Sequence, residues 1–202
     1  MHDALELVYP SLDHADGYLA ARAEGFRDSS SGSDSAQISR DTLADHLARL
    51  QQPGRPLALA DGTVEDPVPF GHLWLVSGSH FIGRVGVRYH LNRALRRSGG
   101  HVGYEIRPSM QRQGFGHAAL ALGRAHLATH GTKTILVTCA DGNLGSRRII
   151  EAAGGCLEDL IDAPDGSGQR IRRYWFGPRV PEQFWPGLSI SVALHTSVKL
   201  NP

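Results

Sequence analysis

A run of six residues, QRQGFG at positions 111–116, could bind an anion through its backbone. Pro108 ends the preceding apolar strand, because proline cannot donate to a β-ladder and restricts the residue before it. Gly114 and Gly116 lack a β-carbon, so a ligand can approach their amides directly. The helix that follows offers unpaired N–H groups and a partial positive charge at its start. The spacing therefore predicts a pyrophosphate site, with the charge of Arg112 beside it.

The run 111–116 matches neither of two common phosphate-binding motifs. No Gly-Lys-Ser/Thr follows it, so it is not a P-loop. The dinucleotide pattern G-x-G-x-x-G also fails, because Ala119 stands where the third glycine should fall. A plain helix start with two convenient glycines remains open as an alternative for this stretch taken alone.

The surrounding pattern predicts a mixed α+β protein. Apolar alternation indicates strands at 4–10, 56–61, 69–78, 80–91 and 101–108. The apolar run within 133–139 indicates a buried strand, and 155–162 with 169–177 is predicted to form a closing hairpin. Helical spacing indicates helices at 13–26 (behind an aspartate cap), 39–52 (with Ser39 as cap), 114–130 and 143–155, with a short turn or loop at 92–100. The polar run 27–37 is predicted to be a flexible loop that does not pack against the core. Strands precede most of the helices, which favours a mixed sheet.

Composition limits the class of protein. The 202 residues suit one domain, and 41% hydrophobic with 20% charged residues indicate a folded chain. A net charge of +1 and the lack of a long apolar run argue against nucleic-acid or membrane partners. Cys139 and Cys156 have no metal or redox spacing, so no metal site is expected, and both read as buried thiols in a reducing compartment. With no signal peptide evident, a cytoplasmic location is expected.

Two spaced motifs together resemble a known superfamily. Gln111-x-x-Gly114-x-Gly116, three residues after Pro108, resembles the acetyl-coenzyme A motif of the GCN5-related N-acetyltransferases (GNAT). Asn143-x-x-Ser146 then opens a further helix, as in the family's second cofactor-contacting segment. The run from residue 83 to 109 also looks similar to a bacterial subgroup of predicted acetyltransferases. The resemblance covers residues 4–177 and is firmest over 83–155.

The resemblance implies a fold and a cosubstrate. The fold would be α+β, with a GNAT-like, mostly antiparallel central sheet that splays between two neighbouring strands and is flanked by helices. Residues 1–177 would form the acetyltransferase domain, and 178–202 an extension of unknown role. Acetyl-CoA would be the cosubstrate. The residues implied in its binding are the backbone of Ile106 and Arg107 for pantetheine, the turn Gln111, Arg112, Gln113, Gly114, Phe115, Gly116 and His117 for pyrophosphate, and Asn143 with Ser146 on the next helix.

The implied reaction is direct attack of a primary amine on a thioester. An amine of pKa about 10.4 is neutral in fewer than about one in a thousand molecules at pH 7, so losing its proton costs about 4.6 kcal/mol. A base is therefore useful, and Glu105 on the strand before the turn is the first candidate. His101 and His90 are others. An N–H near Ile106 would meet the developing oxyanion.

The usual general acid is absent. The family often has a tyrosine seven residues after the helix-opening asparagine, and here that position is Ile150. Tyr104 or Tyr174 could substitute, although a thiol of pKa about 8.5 can leave without help. A degenerate member that binds acyl-CoA as a sensor or scaffold is therefore the alternative function.

The acceptor would be an amine of a small molecule or a peptide, and the sequence does not choose between them. One end of the expected acceptor side is basic, through Arg88, His90, Arg93, Arg96 and Arg97. The other end, residues 158–165, is acidic. A basic rim would suit an acceptor that carries a carboxylate and an acidic rim a polycationic one, but a solvated charged surface is the simpler explanation of both runs. Trp74, Trp175 and Trp185 read as core or interface residues. The tail 178–202 could add a strand to a partner's sheet and so form a homodimer, and an extension that is poorly ordered is an equally good interpretation.

Overall fold

The computed structural model describes residues 4–28, 38–52, 56–58 and 63–177. These residues form nine strands, five α-helices and two short 3-10 turns. The strands are β1 (Leu5–Val8), β2 (Leu57–Ala58), β3 (Val64–Glu65), β4 (Phe70–Ser77), β5 (His80–Arg88), β6 (Val102–Ile106), β7 (Ile135–Ala140), β8 (Cys156–Asp162) and β9 (Arg170–Phe176). The helices are α1 (Ala15–Ala23), α2 (Arg40–Leu50), α3 (Arg93–Arg97), α4 (Phe115–Thr129) and α5 (Leu144–Ala152), and the 3-10 turns are Leu12–His14 and Pro108–Met110.

The central sheet is divided into two parts, as the family resemblance implies. One part has the order β1-β4-β5-β6 and the other β7-β9-β8, and the pairs are antiparallel in both. β2 and β3 form a separate two-stranded ribbon. Among the described residues, one isolated bridge, between Gly100 and Val137, joins the two parts. The mixed α+β architecture with a sheet that splays between β6 and β7 is confirmed.

Each face of the first sheet packs against a different set of helices. On one face, Leu73, Val85 and Val102 belong to a core cluster that also contains Ala119 and Leu120 of α4. Alternate residues of the same strands point to the other face, because successive side chains of a strand alternate. That face carries an aromatic cluster. Trp74 stacks on Tyr18 of α1 with ring centroids 4.7 Å apart, and it packs edge-on against Phe81 with ring centroids 5.1 Å apart. The predicted core role of Trp74 is confirmed, since it is fully buried.

Several local predictions differ from the structure. Helix α1 begins at Ala15 with His14 at the N-cap, and no side chain caps it, so the predicted aspartate cap is wrong. The strand predicted for 80–91 ends at Arg88. Cys139 is buried as expected, but Cys156 is exposed. Trp185 and the tail 178–202 lie outside the described residues, as does most of the predicted loop 27–37.

The described helices include none with the length and apolar character needed to span a bilayer. Within the same residues, no group of three or more histidine, cysteine or acidic side chains is arranged to hold a metal ion.

Candidate active site

The slot between β6 and β7 closes at one end around Gly100. The His101 amide donates to the Leu136 carbonyl at 2.7 Å, and the Leu136 amide donates to Nδ1 of His101 at 2.9 Å. Gly100 has a φ of +64°, and a β-carbon there would lie 2.6 Å from the Leu136 carbonyl oxygen. Only glycine fits such a close approach with that backbone conformation. Beyond this point the two strands separate.

The hydrogen bonds between β6 and β5 determine which β6 amides point into the slot. The Arg88 amide donates to the His101 carbonyl at 2.8 Å, and the Arg107 amide donates to the Ile82 carbonyl at 2.9 Å. Alternate residues of an antiparallel strand point their amides in opposite directions. The Tyr104 and Ile106 amides therefore face β7, whereas the Arg107 amide is already engaged with β5. This corrects the expectation that the Arg107 amide is available to a ligand in the slot.

The turn after β6 presents a row of backbone donors. Gly114 is the N-cap of α4 with a φ of +89°, and Arg112 has a φ of +63°. The Gln111 amide bonds to the Pro108 carbonyl at 3.2 Å, and the His117 amide bonds to the Gly114 carbonyl at 3.0 Å. Within the described residues, the five amides of 112–116 between them have no backbone acceptor. Of the seven amides expected to face a ligand, those of Gln111 and His117 are already bonded to backbone carbonyls, and the five of 112–116 are open.

Side chains of the turn brace this row of amides. Nε2 of Gln111 donates to the Ile106 carbonyl at 3.0 Å, and Nε2 of Gln113 donates to the Ser109 carbonyl at 2.9 Å. Gly116 has a packing role that the sequence did not reveal, since a β-carbon there would lie 2.7 Å from Cδ1 of Ile149. A β-carbon at Gly114 would meet no described protein atom within 4 Å, so within the protein itself it is the backbone conformation that favours glycine.

Glu24, at the end of α1, ties the first helix to the residues before the turn. Its carboxylate accepts hydrogen bonds from the guanidinium of Arg107 and, at 3.2 Å, from the Ser109 amide. The Arg107 guanidinium also donates to the Phe81 carbonyl at 3.1 Å. The bonds from Arg107 and Ser109 lower the pKa of Glu24 to about 2. Nothing local in the sequence indicates this contact, since Glu24 and Arg107 are 83 residues apart.

We expect Glu24→Gln to lower the unfolding temperature at pH 7. Because the folded-state pKa of Glu24 is depressed, its stabilising effect is present above its ordinary pKa of 4.5 and is lost as the pH falls towards 2. The difference in unfolding temperature between wild type and variant should therefore shrink between pH 5 and about pH 2. Thermal unfolding followed by circular dichroism measures it, and a difference that stays constant over this range would contradict the assignment.

Tyr104 lies on the α4 face of β6, between the starts of α4 and α5. A β-carbon built at Gly116 would lie 3.6 Å from the Tyr104 ring. Burial raises the pKa of Tyr104 to about 12, although the nearby Ser146 hydroxyl partly opposes the shift. The hydroxyl thus stays protonated and can act as a donor. Ile150, at the position of the missing tyrosine, is fully buried in the core.

Asn143 opens α5 as its N-cap. Oδ1 of Asn143 accepts a hydrogen bond from the Ser146 amide at 3.0 Å. The cap uses the side-chain oxygen and leaves the Nδ2 hydrogens for another acceptor. The structural and the ligand-binding roles considered for Asn143 are therefore compatible.

Glu105 lies on the opposite face of β6 from Tyr104, within a cluster of ionisable side chains. Its Oε2 lies 3.0 Å from Nε of Arg84, its partner on β5. The same Arg84 nitrogen lies 3.1 Å from Oδ1 of Asp28, whose Oδ2 lies 3.1 Å from Nε2 of His72. The side chains of Arg84, Asp28 and His72 are buried, whereas that of Glu105 is 33% exposed. Glu105 is thus the member of the cluster that solvent reaches.

The other candidate residues lie elsewhere. His101 and His90 line a cleft of about 480 Å³ near the closed end of the slot, together with Trp175. Because Nδ1 of His101 accepts a hydrogen bond from the Leu136 amide, the proton of the neutral ring is on Nε2, and the one lone pair that could act as a base is already engaged. The Tyr174 hydroxyl donates to Glu151 at 2.9 Å, which commits it to that carboxylate.

The amide row at the start of α4 and the split sheet occur together in one chain, and comparison with known proteins agrees with this architecture. A sequence profile described as acetyltransferase (GNAT) domain matches residues 5–155. The chain belongs to the GNAT family. No curated protein sequence matches it significantly.

Solved structures of GNAT proteins share the fold at low sequence identity. The chain is similar to RimL, a ribosomal L7/L12 α-N-protein acetyltransferase, with 15% identity, a TM-score of 0.54 and coverage of 86% of this chain and 90% of that one. It is similar to the microcin C7 self-immunity acetyltransferase MccE, in complex with acetyl-CoA and AMP, with 14% identity, a TM-score of 0.54 and coverage of 87% and 93%. It is also similar to YncA of Salmonella typhimurium with acetyl-CoA, with 13% identity, a TM-score of 0.51 and coverage of 92% and 99%.

Sequence reasoning missed four residues that shape this site. Glu24 and Asp28 reach it from the end of α1 and the segment after it. Arg84 reaches it from β5, and Gly100 closes the slot. The doubled glycine at 99–100 and the arginine within an otherwise apolar strand were the available signals for the last two.

Proposed function

We propose that this protein is an N-acetyltransferase that moves an acetyl group from acetyl-CoA to a primary amine of a small molecule or a peptide. The observation that carries the proposal is the row of open amides at 112–116, at the end of a strand that splays from its neighbour. Backbone amides at a helix start favour phosphate oxygens. The acetyl-CoA bound to the similar proteins MccE and YncA supports the same ligand here.

The residues present fit acetyl-CoA. The amides of Arg112, Gln113, Gly114, Phe115 and Gly116 hold the pyrophosphate in this proposal. The Ile106 amide, which faces the slot, and Nδ2 of Asn143 bind the pantetheine arm. Ser146, near the Tyr104 hydroxyl, lines the same space. Acetyl-CoA supplies an acetyl group that is activated as a thioester.

In this proposal the base and the donor to the leaving group lie on opposite faces of β6. Glu105, on the face that carries Arg84 and Asp28, accepts the proton that the amine loses, directly or through a water molecule. The amine nitrogen forms its bond to the carbonyl carbon as the carbon–sulfur bond breaks. The Tyr104 amide, which also faces the slot, donates to the carbonyl oxygen, on which negative charge develops. Tyr104, on the other face, donates a hydrogen bond to the departing sulfur.

Energetics favour hydrogen bonding by Tyr104 over full proton transfer. Its pKa is about 12, whereas a thiol has a pKa of about 8.5. Complete transfer from the phenol to the thiolate is therefore uphill by about 5 kcal/mol. A thiolate that leaves as an anion and takes its proton from water avoids this cost. Tyr104 then assists the reaction without being essential.

We expect Tyr104→Phe to lower kcat by about 10-fold or less, which matches the loss of one hydrogen bond of about 0.5–1.5 kcal/mol. The affinity for acetyl-CoA should change little. Steady-state kinetics with a free-thiol assay measures both effects. A thousand-fold or greater loss of turnover would show instead that Tyr104 is an obligatory acid.

Calorimetric titration with acetyl-CoA, followed by an acceptor screen with the free-thiol assay, tests the proposed function. Binding in the micromolar range and release of coenzyme A that depends on an amine are expected. The proposal fails if the protein does not bind acetyl-CoA at millimolar concentration. Binding without transfer to any amine would favour the alternative of a sensor or scaffold.

A further inference from the structure

The face of β6 that carries Glu105 has an open space between Glu105 and Arg88, and we call it the acceptor face. This face carries Glu105 and Gly103, and Gly103 pairs with Gly86 of β5. The space over Gly86 is filled, because a β-carbon there would lie 2.9 Å from the Phe70 ring and 3.1 Å from Nη1 of Arg84. The space over Gly103 is open among the described residues, since a β-carbon there would meet nothing within 4 Å.

Arg88 lies at the other end of this open space from Glu105. Its amide bonds to the His101 carbonyl, and Gly103 lies between the levels of Arg88 and Glu105 on the paired strands. The Arg88 guanidinium lies 5.5 Å from the centre of the Phe70 ring, and its Nη1 donates to the Gly100 carbonyl at 3.1 Å. No carboxylate in the described parts of the chain pairs with it.

An arginine in this setting favours an anionic ligand. Burial and the positive charge of Arg84 both lower the pKa of Arg88, which means that its charge is poorly solvated and repelled by a neighbour. Backbone carbonyls use only part of its five donors. A carboxylate would accept two parallel bonds from the planar guanidinium and neutralise its charge.

We infer that the acceptor is a primary amine that carries a carboxylate, with the amine over Gly103 beside Glu105 and the carboxylate on Arg88. This inference rests on the proposed acetyltransferase function and specifies its acceptor. Along the strands, Arg88 and Glu105 are separated by four residues, or about 13 Å. With the guanidinium and carboxylate groups at this backbone spacing, a hydrogen bond of about 2.8 Å at each end leaves roughly 7 Å between amine nitrogen and carboxylate. That span corresponds to an ω-amino acid, or to an N-terminal amine followed by an acidic residue.

Matched pairs of acceptors test the inference. One arm compares unbranched ω-amino acids, from glycine to 6-aminohexanoate, with alkylamines of equal length. The second arm compares Ala-Glu with Ala-Gln as dipeptide amides, and so separates a free amino acid from a peptide terminus. We expect kcat/KM to be about 10- to 100-fold higher for the anionic member in at least one arm, the size of one charge-assisted hydrogen bond. Among the amino acids, the longer ones should be preferred.

The Arg88→Met variant should abolish this preference without changing the affinity for acetyl-CoA. Its unfolding temperature should not fall, because the substitution removes a half-buried charge that has no carboxylate partner among the described residues. Arg49→Met, at the exposed end of α2, is the matched control and should retain the preference. Equal rates for both members of every pair, or an Arg88→Met protein that still prefers the anionic member, would overturn the inference.

Gly103→Ala provides a second test that does not touch any charge. The added methyl group has room in the described structure, so the fold should be kept. It should raise the KM of the acceptor and leave acetyl-CoA affinity unchanged, whereas Gly177→Ala at the end of β9 should change neither. An unchanged KM in Gly103→Ala contradicts the position of the acceptor. Transfer to none of these amines, with acetyl-CoA still bound, also overturns the inference, whereas absent acetyl-CoA binding would instead overturn the proposed function.

Discussion

Replacing Gly114 by valine is expected to weaken acetyl-CoA binding by about 100-fold or more. Gly114 has a φ of +89° at the N-cap of α4, a conformation that a β-branched residue rarely adopts. The turn must change shape to relieve the strain, and the amides of 112–116 then no longer converge on one anion. Loss of two charge-assisted hydrogen bonds of about 1.5–3 kcal/mol each accounts for the effect. Calorimetry with acetyl-CoA measures it.

Gly131→Val is the matched control for this prediction. Gly131, in the turn after α4, has a φ of +85° and, like Gly114, open space where a β-carbon would lie. Both variants should lose a similar amount of stability, about 1–2 kcal/mol from the left-handed backbone. Only Gly114→Val should lose affinity. Equal affinities in the two variants would mean that the turn before α4 does not hold the pyrophosphate.

The sequence predicted the part of the fold that local signals specify. Proline at 108 ends β6, glycine at 114 starts α4, and Asn143 caps α5, and each of these signals acts within a few residues of its own position. The buried strand β7 between these helices was found from its continuous apolar run. The order of strand, turn, helix and strand therefore followed from residues that are neighbours in the chain.

The charged contacts of the site could not be predicted in the same way. Asp28 lies at the start of a run whose composition indicates a solvated loop, yet its side chain is buried against Arg84 and His72. A buried carboxylate needs partners, and here the partners come from β4 and β5. Their positions depend on sheet pairing that no local pattern specifies. The contact of Glu24 with Arg107 escaped prediction for the same reason.

Glycines illustrate a further limit of sequence reasoning. Gly114 and Gly116 were both expected to clear space for a ligand. Within the protein itself, Gly114 is favoured by its positive φ, whereas at Gly116 a β-carbon would crowd the end of the Ile149 side chain. The residue type records that a side chain is excluded, but only the three-dimensional neighbours tell what excludes it.

Replacing Glu105 by glutamine should lower kcat at pH 7 by about 100- to 10,000-fold, the usual contribution of a general base. The substitution keeps the shape of the side chain and removes its ability to take a proton. The rate of the variant should rise with pH, because the neutral fraction of an amine with a pKa near 10.4 increases about tenfold per pH unit up to that pKa. The difference from wild type should therefore narrow above pH 9. Kinetics over pH 7–10 with saturating acetyl-CoA measures it.

Two further variants separate a catalytic from a structural effect of Glu105. Glu6→Gln, the same chemical change on β1 at the opposite edge of the sheet, should leave kcat unchanged. Glu105→Asp keeps the carboxylate but shortens its reach, so its kcat should lie between those of wild type and Glu105→Gln. Because Glu105 pairs with Arg84, which also contacts Asp28, the unfolding temperature of each variant must be measured beside its rate. A Glu105→Gln protein that keeps wild-type kcat at pH 7 would remove Glu105 from the mechanism and leave a water chain as the path for the proton.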